Sequence, residues 1–212
     1  HPEAMRQIVT SDRSKYFASS KDNALLQPLV GDNSLLMIEG DRHKQRRKLL
    51  LPPFHGERMQ AYGELICNLT RQIIDQLEPN QAFAARHVTQ EISLQIILGA
   101  VYGLQDSDRS SEFKQRITRL ANIFESPLTS AFLFFPWLQK DLGAWSPWGN
   151  LMRQQKAIDE AIYQEIATRR TEDCSQRQDI LSLMMLARDE SGATMKDYEL
   201  RDELMTLLVA GH

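Results

Sequence analysis

The sequence predicts a mainly α-helical protein, a bundle of several helices with little or no β-sheet. Apolar residues recur at helical spacing in nearly every periodic segment of the 212-residue chain. Proline and glycine interrupt this pattern where helices are expected to end, as at Pro52-Pro53 and at Gly103. The composition, 42% apolar and 25% charged, is that of an ordinary globular protein that is long enough to bury a core.

Each helix is predicted from its own apolar face. The first, at 2–10, begins with Pro2 in its opening turn. Residues 16–38 are expected to form a long loop with one short helix near Ala24–Leu26. Further helices are expected at 59–77, 86–102, 110–125, 151–170 and 179–187, and from about 194 to the end of the chain. The helix at 86–102 becomes apolar almost all round from Ile96, which predicts a position at the centre of the bundle.

A basic helix between Asp41 and Pro52 is the most informative stretch of the chain. Five Lys and Arg residues surround His43 there, and helical spacing divides them between faces. His43, Arg47, Leu50 and Leu51 share one stripe, while Lys44 and Lys48 lie on another face. A cation on an inward stripe is costly unless it is paired. The pattern therefore predicts a partly buried anion that binds His43 and Arg47.

The same stretch carries a family resemblance. A Gly-Asp turn, then His-x-x-x-Arg, then Arg-Lys-Leu-Leu-x-Pro-x-Phe, resembles the C helix of the cytochrome P-450 haem monooxygenases. The resemblance implies that His43 and Arg47 bind the haem propionates. His at the first position, where the family's microsomal members commonly have Trp, is similar to bacterial members.

The end of the chain provides a second resemblance. Glu-Leu-x-x-Leu-Leu-x-Ala-Gly-His, at 203–212, is similar to the first half of the family's I helix. The resemblance implies that Ala210 and Gly211 begin the groove for dioxygen, where small side chains leave space. Close helix packing is the alternative explanation for an Ala-Gly pair.

Together the two motifs imply that residues 1–212 form a single partial domain, the N-terminal helical half of such an enzyme, from about its B helix to the start of its I helix. The family's iron ligand is a Cys in a Gly-rich loop of the other half. Neither Cys67, expected to be packed in a helix, nor Cys174, expected to be exposed in a polar loop, has that context. We therefore expect no metal ligand in this chain, a haem whose Cys ligand lies outside it, and no monooxygenase activity from the chain alone.

The resemblance also implies a substrate site. Leu35, Leu36 and Met37 would run toward the haem, although core packing explains each of them equally well. The aromatic segment 126–149 would be a lid between two helices, or else a connector folded on the core. The expected substrate is small and apolar, such as a fatty acid, hydrocarbon or terpenoid. A ferredoxin or flavoprotein would supply the electrons for inserting one oxygen atom from O2.

Two other functions stay open from the residues themselves. The basic run at 42–48 could belong to a helical nucleic-acid-binding or regulatory protein, although the net charge of −3 argues against binding nucleic acid. The chain could also be a non-catalytic helical interaction module whose aromatic segment binds an apolar partner. No apolar run is long enough to span a membrane, and two cysteines make no disulfide framework, so we expect a cytoplasmic protein.

Overall fold

The computed structural model describes residues 1–10, 25–104, 108–124, 135–143 and 145–211 of the chain. Helices account for most of the described residues, and the one β-bridge among them joins Arg188 to Thr194. The mainly α-helical fold class that the sequence predicts is therefore confirmed.

The helices are numbered in chain order. Their bounds are α1 Pro2–Thr10, α2 Gln27–Val30, α3 Gly40–Leu50, α4 Glu57–Ile74, α5 Ala85–Ile96, α6 Asp108–Phe124, α7 Pro147–Thr171, α8 Ile180–Leu186 and α9 Asp197–Gly211. A short π-helix, Ile97–Val101, continues α5, and 3-10 helices cover Pro52–Phe54 and Pro136–Leu138.

Most of these bounds lie within a few residues of the predicted ones. The short helix expected near Ala24–Leu26 instead begins at Gln27, because Pro28 occupies its first turn. Helix α7 begins at Pro147, earlier than its apolar pattern indicates. The Ser146 hydroxyl caps it by accepting a hydrogen bond from the Gly149 amide at 3.2 Å. Residues 16–24 of the predicted loop, and 126–134 and 144 of the predicted lid, lie outside the described residues.

Helix α9 is the buried centre of the described fold. It packs against α2, α7, α8 and the π-helix. Its buried apolar side chains are Leu200, Leu204, Met205 and Leu208. The same buried stretch also holds Arg201, Asp202 and Glu203. Charged groups remain in such a position only when neighbouring segments supply partners for them, so α9 depends on polar contacts as well as on apolar packing.

The π-helix Ile97–Val101 lies beside α9, and all five of its residues are buried. This confirms the expectation that the chain from Ile96 onward is apolar on every side because it is buried in the bundle. Its last turn leads directly to Tyr102, which is fully buried and whose carbonyl oxygen accepts a hydrogen bond from Arg169.

Arg169, near the end of α7, ties three elements together. Its side chain is 1% exposed, and its guanidinium donates to Glu165 at 2.8 Å, to Asp179 at 2.8 Å and to the Ser182 hydroxyl at 2.6 Å. Asp179 also caps α8 by accepting from the Ser182 amide at 2.9 Å. The ends of α7, α8 and the π-helix therefore meet at one buried arginine whose partners are carboxylates, a hydroxyl and a carbonyl.

Both cysteine expectations are wrong. Cys174 is buried, and its thiol donates to the Arg169 carbonyl at 3.3 Å, because the polar loop after α7 folds back over the helix end. Cys67 is exposed, because it lies on the outer side of α4. Polar neighbours in sequence indicate an exposed loop, but they do not show which single side chain of that loop turns inward.

Candidate functional site

The basic helix α3 is linked to α9 by the ion pair between Arg46 and Glu199, and it leads into the 3-10 helix Pro52–Phe54. Asp41 lies in its first turn, and Arg47 and Lys48 lie in its last turn. Both placements are favourable, because the helix dipole is positive at the N-terminus and negative at the C-terminus. Leu49 and Leu50 pack against the buried core and fix which face of α3 turns inward.

The basic side chains of α3 differ in their partners. Lys44 pairs with Asp41 at 3.2 Å, and Lys48 pairs with Glu190 at 2.8 Å. Arg42 donates to the side-chain carbonyl oxygen of Asn33 at 3.3 Å. Arg47 is exposed and has no ion pair within the described part of the chain. His43 is half-buried. Arg47 is therefore a cation with hydrogen-bond donors to spare.

An apolar cavity of about 260 Å³ lies where α3, α9 and the segment before α3 meet. Its apolar lining consists of Leu35, Leu36, Leu50, Leu51, Phe54 and Leu207. Thr206, Glu203 and Arg47 complete it. The cavity thus unites one predicted cation with two of the three predicted pocket residues. An apolar pocket with a few converging polar groups is the usual form of a small-molecule site.

The remaining predicted site residues are not part of the lining of this cavity. Met37 packs against the buried core. Ala210 and Gly211 are exposed at the last turn of α9. A methyl group added at Gly211 would lie 3.2 Å from the Ile97 side chain, so close packing is one reason for a small residue there. The predicted haem and oxygen roles of His43, Ala210 and Gly211 stay predictions.

Arg46 was not assigned a role from the sequence, and it is the buried arginine of α3. Its side chain is 7% exposed; it bonds to Glu199, and its Nη1 lies 3.6 Å from Glu203 Oε1. Two features of the sequence would have located it. Glu199 and Glu203 stand at i and i+4 on one face of α9, and a buried pair of this kind needs a cation nearby. Arg46 is also spaced for a shared face with Leu49, Leu50 and Pro53.

Three polar residues of α9 hold the segment that carries Leu35 and Leu36. Asp202 accepts from the Asn33 amide at 2.9 Å and from its side chain at 3.0 Å. Ser34 and Thr206 are joined through their hydroxyl oxygens at 2.6 Å, and the Leu35 amide donates to Glu203 at 3.2 Å. Gly31, at a φ of +83°, lets the backbone approach Asp202 so closely that a Cβ there would lie 2.2 Å from Oδ1.

Glu203 has the most perturbed carboxylate at this site. Burial raises the pKa of Glu203 from its ordinary 4.5 to about 7, while the Leu35 amide and Arg46 act in the opposite direction. The negative charges of Asp202 and Glu199 raise it further. Glu203 Oε1 and Arg46 Nη1 are both buried without a hydrogen-bond partner. Unsatisfied buried groups of this kind are uncommon and call for an explanation.

A second cleft, of about 700 Å³, lies on another side of α3 among α4, α8 and the loop after α7. It is larger than the apolar cavity, but it contains none of the predicted site residues. Arg58 and Arg177 are the charged side chains of its lining, and Arg177 pairs with Glu172 at 2.6 Å. Size alone would favour this cleft, whereas the convergence of charged and apolar groups favours the smaller cavity.

Most of the described aromatic side chains in segment 126–149 are well exposed. Trp137 is 70% and Trp145 is 79% exposed, whereas Trp148 is buried at the start of α7. Exposed aromatic side chains are compatible with the predicted lid and with an interaction surface, so the lid stays a prediction. Among the described residues, no cluster of His, Cys, Asp and Glu could hold a metal ion. In the described part of the chain, no helix is long and apolar enough to cross a membrane.

Comparison with known proteins gives one consistent result. The family model described as Cytochrome P450 matches residues 1–212. Two Mycobacterium tuberculosis proteins, which carry the names Putative cytochrome P450 135B1 and 135A1, are 35% and 32% identical to this chain over 212 residues. These matches cover 100% of this chain but 43% and 46% of the two relatives, so the chain spans less than half of their length.

Solved structures with the same fold are more distant in sequence. One, described as retinoic acid bound cyanobacterial CYP120A1, has a TM-score of 0.70 at 19% identity over 89% of this chain and 40% of its own. Another, the cytochrome P450DA heme domain, also has a TM-score of 0.70 at 19% identity, over 90% of this chain and 41% of its own.

Proposed function

The chain belongs to the cytochrome P450 family, and from that premise we propose that it forms one side of the haem and substrate site of a monooxygenase. Membership of this family implies a haem cofactor and oxidoreductase chemistry. The proposal goes further, because it assigns parts of that site to named residues of this chain.

The main support for this proposal is that Arg47 lies in the lining of the apolar cavity. Haem is a flat apolar ring with two propionate carboxylates at its edge. The cavity offers leucine side chains and Phe54 for an apolar surface, and Arg47 for a carboxylate. The neighbouring cations Lys44 and Lys48 already pair with acids of the chain, whereas Arg47 has no such ion pair within the described residues. The residues that are present therefore fit the group.

In this proposal each residue has a distinct task. Arg47 and His43 hold the two propionates, Arg47 by charge-assisted hydrogen bonds and His43 from the preceding turn of α3. Ala210 and Gly211 are small, so they leave space for a small molecule beside the last described turn of α9. Leu35 and Leu36 present an apolar wall to the substrate, and Met37 supports that wall from the core. When bound, haem supplies the activation of O2 that inserts one oxygen atom into the substrate.

The expected substrate follows from the apolar wall, and the expected electron donor follows from the chemistry of the family. An apolar lining with one charged rim suits a small apolar substrate, such as a fatty acid, hydrocarbon or terpenoid. The electrons come from a ferredoxin or flavoprotein, and the iron's Cys ligand lies outside this chain. Both cysteines of the chain are free thiols, which supports a cytoplasmic location.

Nucleic-acid binding, the alternative use of the basic run, has little support. Lys44, Arg46 and Lys48 each pair with an acidic residue of the chain. Their charges are therefore already compensated, and a phosphate backbone would have to compete with those carboxylates.

The absorption spectrum of the intact protein tests the proposal. We expect a haem Soret band, and after reduction and addition of carbon monoxide we expect the shifted Soret band of a thiolate-ligated iron. An intact protein that takes up no haem contradicts the proposed site. A haem band without the thiolate-type shift contradicts the proposed Cys ligand and, with it, the monooxygenase activity.

A further inference from the structure

Leu35 and Leu36, the two leucines of the substrate wall, are connected to α9 by hydrogen bonds from their backbone amides. The Leu35 amide donates to Glu203 Oε2 at 3.2 Å. The Leu36 amide donates to the Ser34 hydroxyl at 3.1 Å, which lies 2.6 Å from the Thr206 hydroxyl. Thr206 in turn donates to the Asp202 carbonyl at 2.7 Å, so the hydrogen between the two hydroxyls belongs to Ser34. Both amides are thus connected to one turn of α9.

Glu203 differs from the other anchors because it also faces α3. Its Oε2 serves the wall, while its Oε1 faces Arg46 Nη1 at 3.6 Å, too far for a hydrogen bond. Glu203 is 2% exposed, so water does not replace a lost partner easily. The carboxylate therefore lies where the wall, α3 and α9 meet, at the edge of the cavity.

A buried ion pair with incomplete hydrogen bonding is a poor source of stability. Apolar residues of the same volume often do as well or better at such a position. Polar groups with defined directions do, however, fix how two segments lie relative to each other. The arrangement at Glu203 has that property, because its two oxygens face two different elements.

We propose that Glu203 is a positioning residue for the substrate, which sets the place of the Leu35–Leu36 wall over α9 while Arg46 fixes the carboxylate from α3. This inference rests on the proposed function, in which an apolar substrate lies against that wall. Without the carboxylate, the Leu35 amide loses its acceptor and the wall moves away from α9. The cavity then no longer matches the shape of its ligand.

Hydrogen exchange of the backbone amides in the intact protein tests the anchoring directly. We expect Glu203→Leu to speed the exchange of the amides in residues 31–38 by about tenfold or more, because an apolar side chain accepts no hydrogen bond. Glu203→Gln keeps an acceptor oxygen and should restore the exchange rates to within about threefold of the unsubstituted protein. A structural defect that spreads through the fold would not be rescued in this way.

Glu199→Gln is the matched control, because Glu199 also bonds to Arg46 on the same helix but does not contact the wall. It should leave exchange in residues 31–38 unchanged. Should Glu203→Leu fail to fold, Thr206→Val removes only the hydroxyl link and should speed exchange in the same residues about threefold. Equal effects of Glu199→Gln and Glu203→Leu, or no change with Thr206→Val, would overturn the proposal.

A second measurement separates this inference from the proposed function. The haem content of the Glu199→Gln control, read from the Soret band, should equal that of the unsubstituted protein. If no variant and no unsubstituted protein binds haem, the proposed function fails while the exchange data still decide the role of Glu203. If haem content falls equally with Glu203→Gln and Glu203→Leu, Glu203 acts on the haem rather than on the wall, and the positioning role is wrong.

Discussion

Two buried arginines of this protein have opposite surroundings. Arg169 is enclosed by Glu165, Asp179, Ser182 and the Tyr102 carbonyl. Arg46 bonds to Glu199, but its Nη1 and the facing oxygen of Glu203 are buried without hydrogen bonds. The first cluster lies among helix ends deep in the bundle, and the second borders an apolar cavity.

The difference separates a structural cluster from a site. A guanidinium whose three nitrogens all have acceptors, like that of Arg169, offsets much of the cost of its burial. A cluster that retains buried groups without hydrogen bonds at the edge of a cavity still gains from a change in its surroundings. Such clusters are where positioning and binding are expected, and Arg47 lies one residue away.

The largest effect is expected from Arg169→Met. This substitution leaves Glu165 and Asp179 buried without their cation, which should lower the free energy of unfolding by about 3–5 kcal/mol. Arg170→Met is the neighbouring control, because Arg170 is partly exposed and pairs with Asp197 at the surface. Its effect should stay below about 1 kcal/mol. Urea denaturation of the intact protein measures both, and similar losses would remove the distinction between structural and surface pairs.

Glu203→Gln should change how stability depends on pH. The pKa of Glu203 is about 7 in the folded protein against an ordinary 4.5, so the folded state holds a proton between those values that the unfolded state has lost. The free energy of unfolding contributed by this group is therefore full below about pH 4.5 and declines as the pH rises toward 7. The decline is on the order of 3 kcal/mol. Urea denaturation at several pH values should show this slope in the unsubstituted protein and not in the variant.

Gly31→Ala should lower the free energy of unfolding by a smaller amount, through a clash near the Leu35–Leu36 wall. Its added methyl group would meet Asp202 at 2.2 Å, on a backbone with a φ of +83°. Gly56→Ala is the matched control, because Gly56 also has a positive φ, of +67°, but has open space around it. Both pay for the left-handed backbone, and Gly31→Ala should cost about 1–2 kcal/mol more in unfolding free energy. Equal losses in thermal denaturation would mean that Asp202 yields freely.

The helices could be predicted from sequence, and so could the meeting of Arg47 with Leu35 and Leu36 at one cavity, but the pairing of charges could not. Apolar periodicity located the helices because residues at i, i+3 and i+4 of a helix lie on one face and are buried together. The Arg46-Arg47 pair shows the limit, since adjacent helical residues point about 100° apart and both are cations. Which one turns inward depends on Glu199, which is 153 residues away in the chain. The burial of Cys174 depends likewise on a turn that brings its thiol to the Arg169 carbonyl.

The central claim is that Arg47, rather than the other cations of α3, holds an anionic edge of haem. Its most direct test is the rate at which the intact, haem-loaded protein loses haem to excess apomyoglobin. Arg47→Ala should speed that loss about tenfold, because one charge-assisted hydrogen bond contributes about 1.5 kcal/mol or more. Lys48→Ala, which removes the next charge along the helix, should leave the rate within about twofold of the unsubstituted protein. Equal rates for the two variants would contradict the claim.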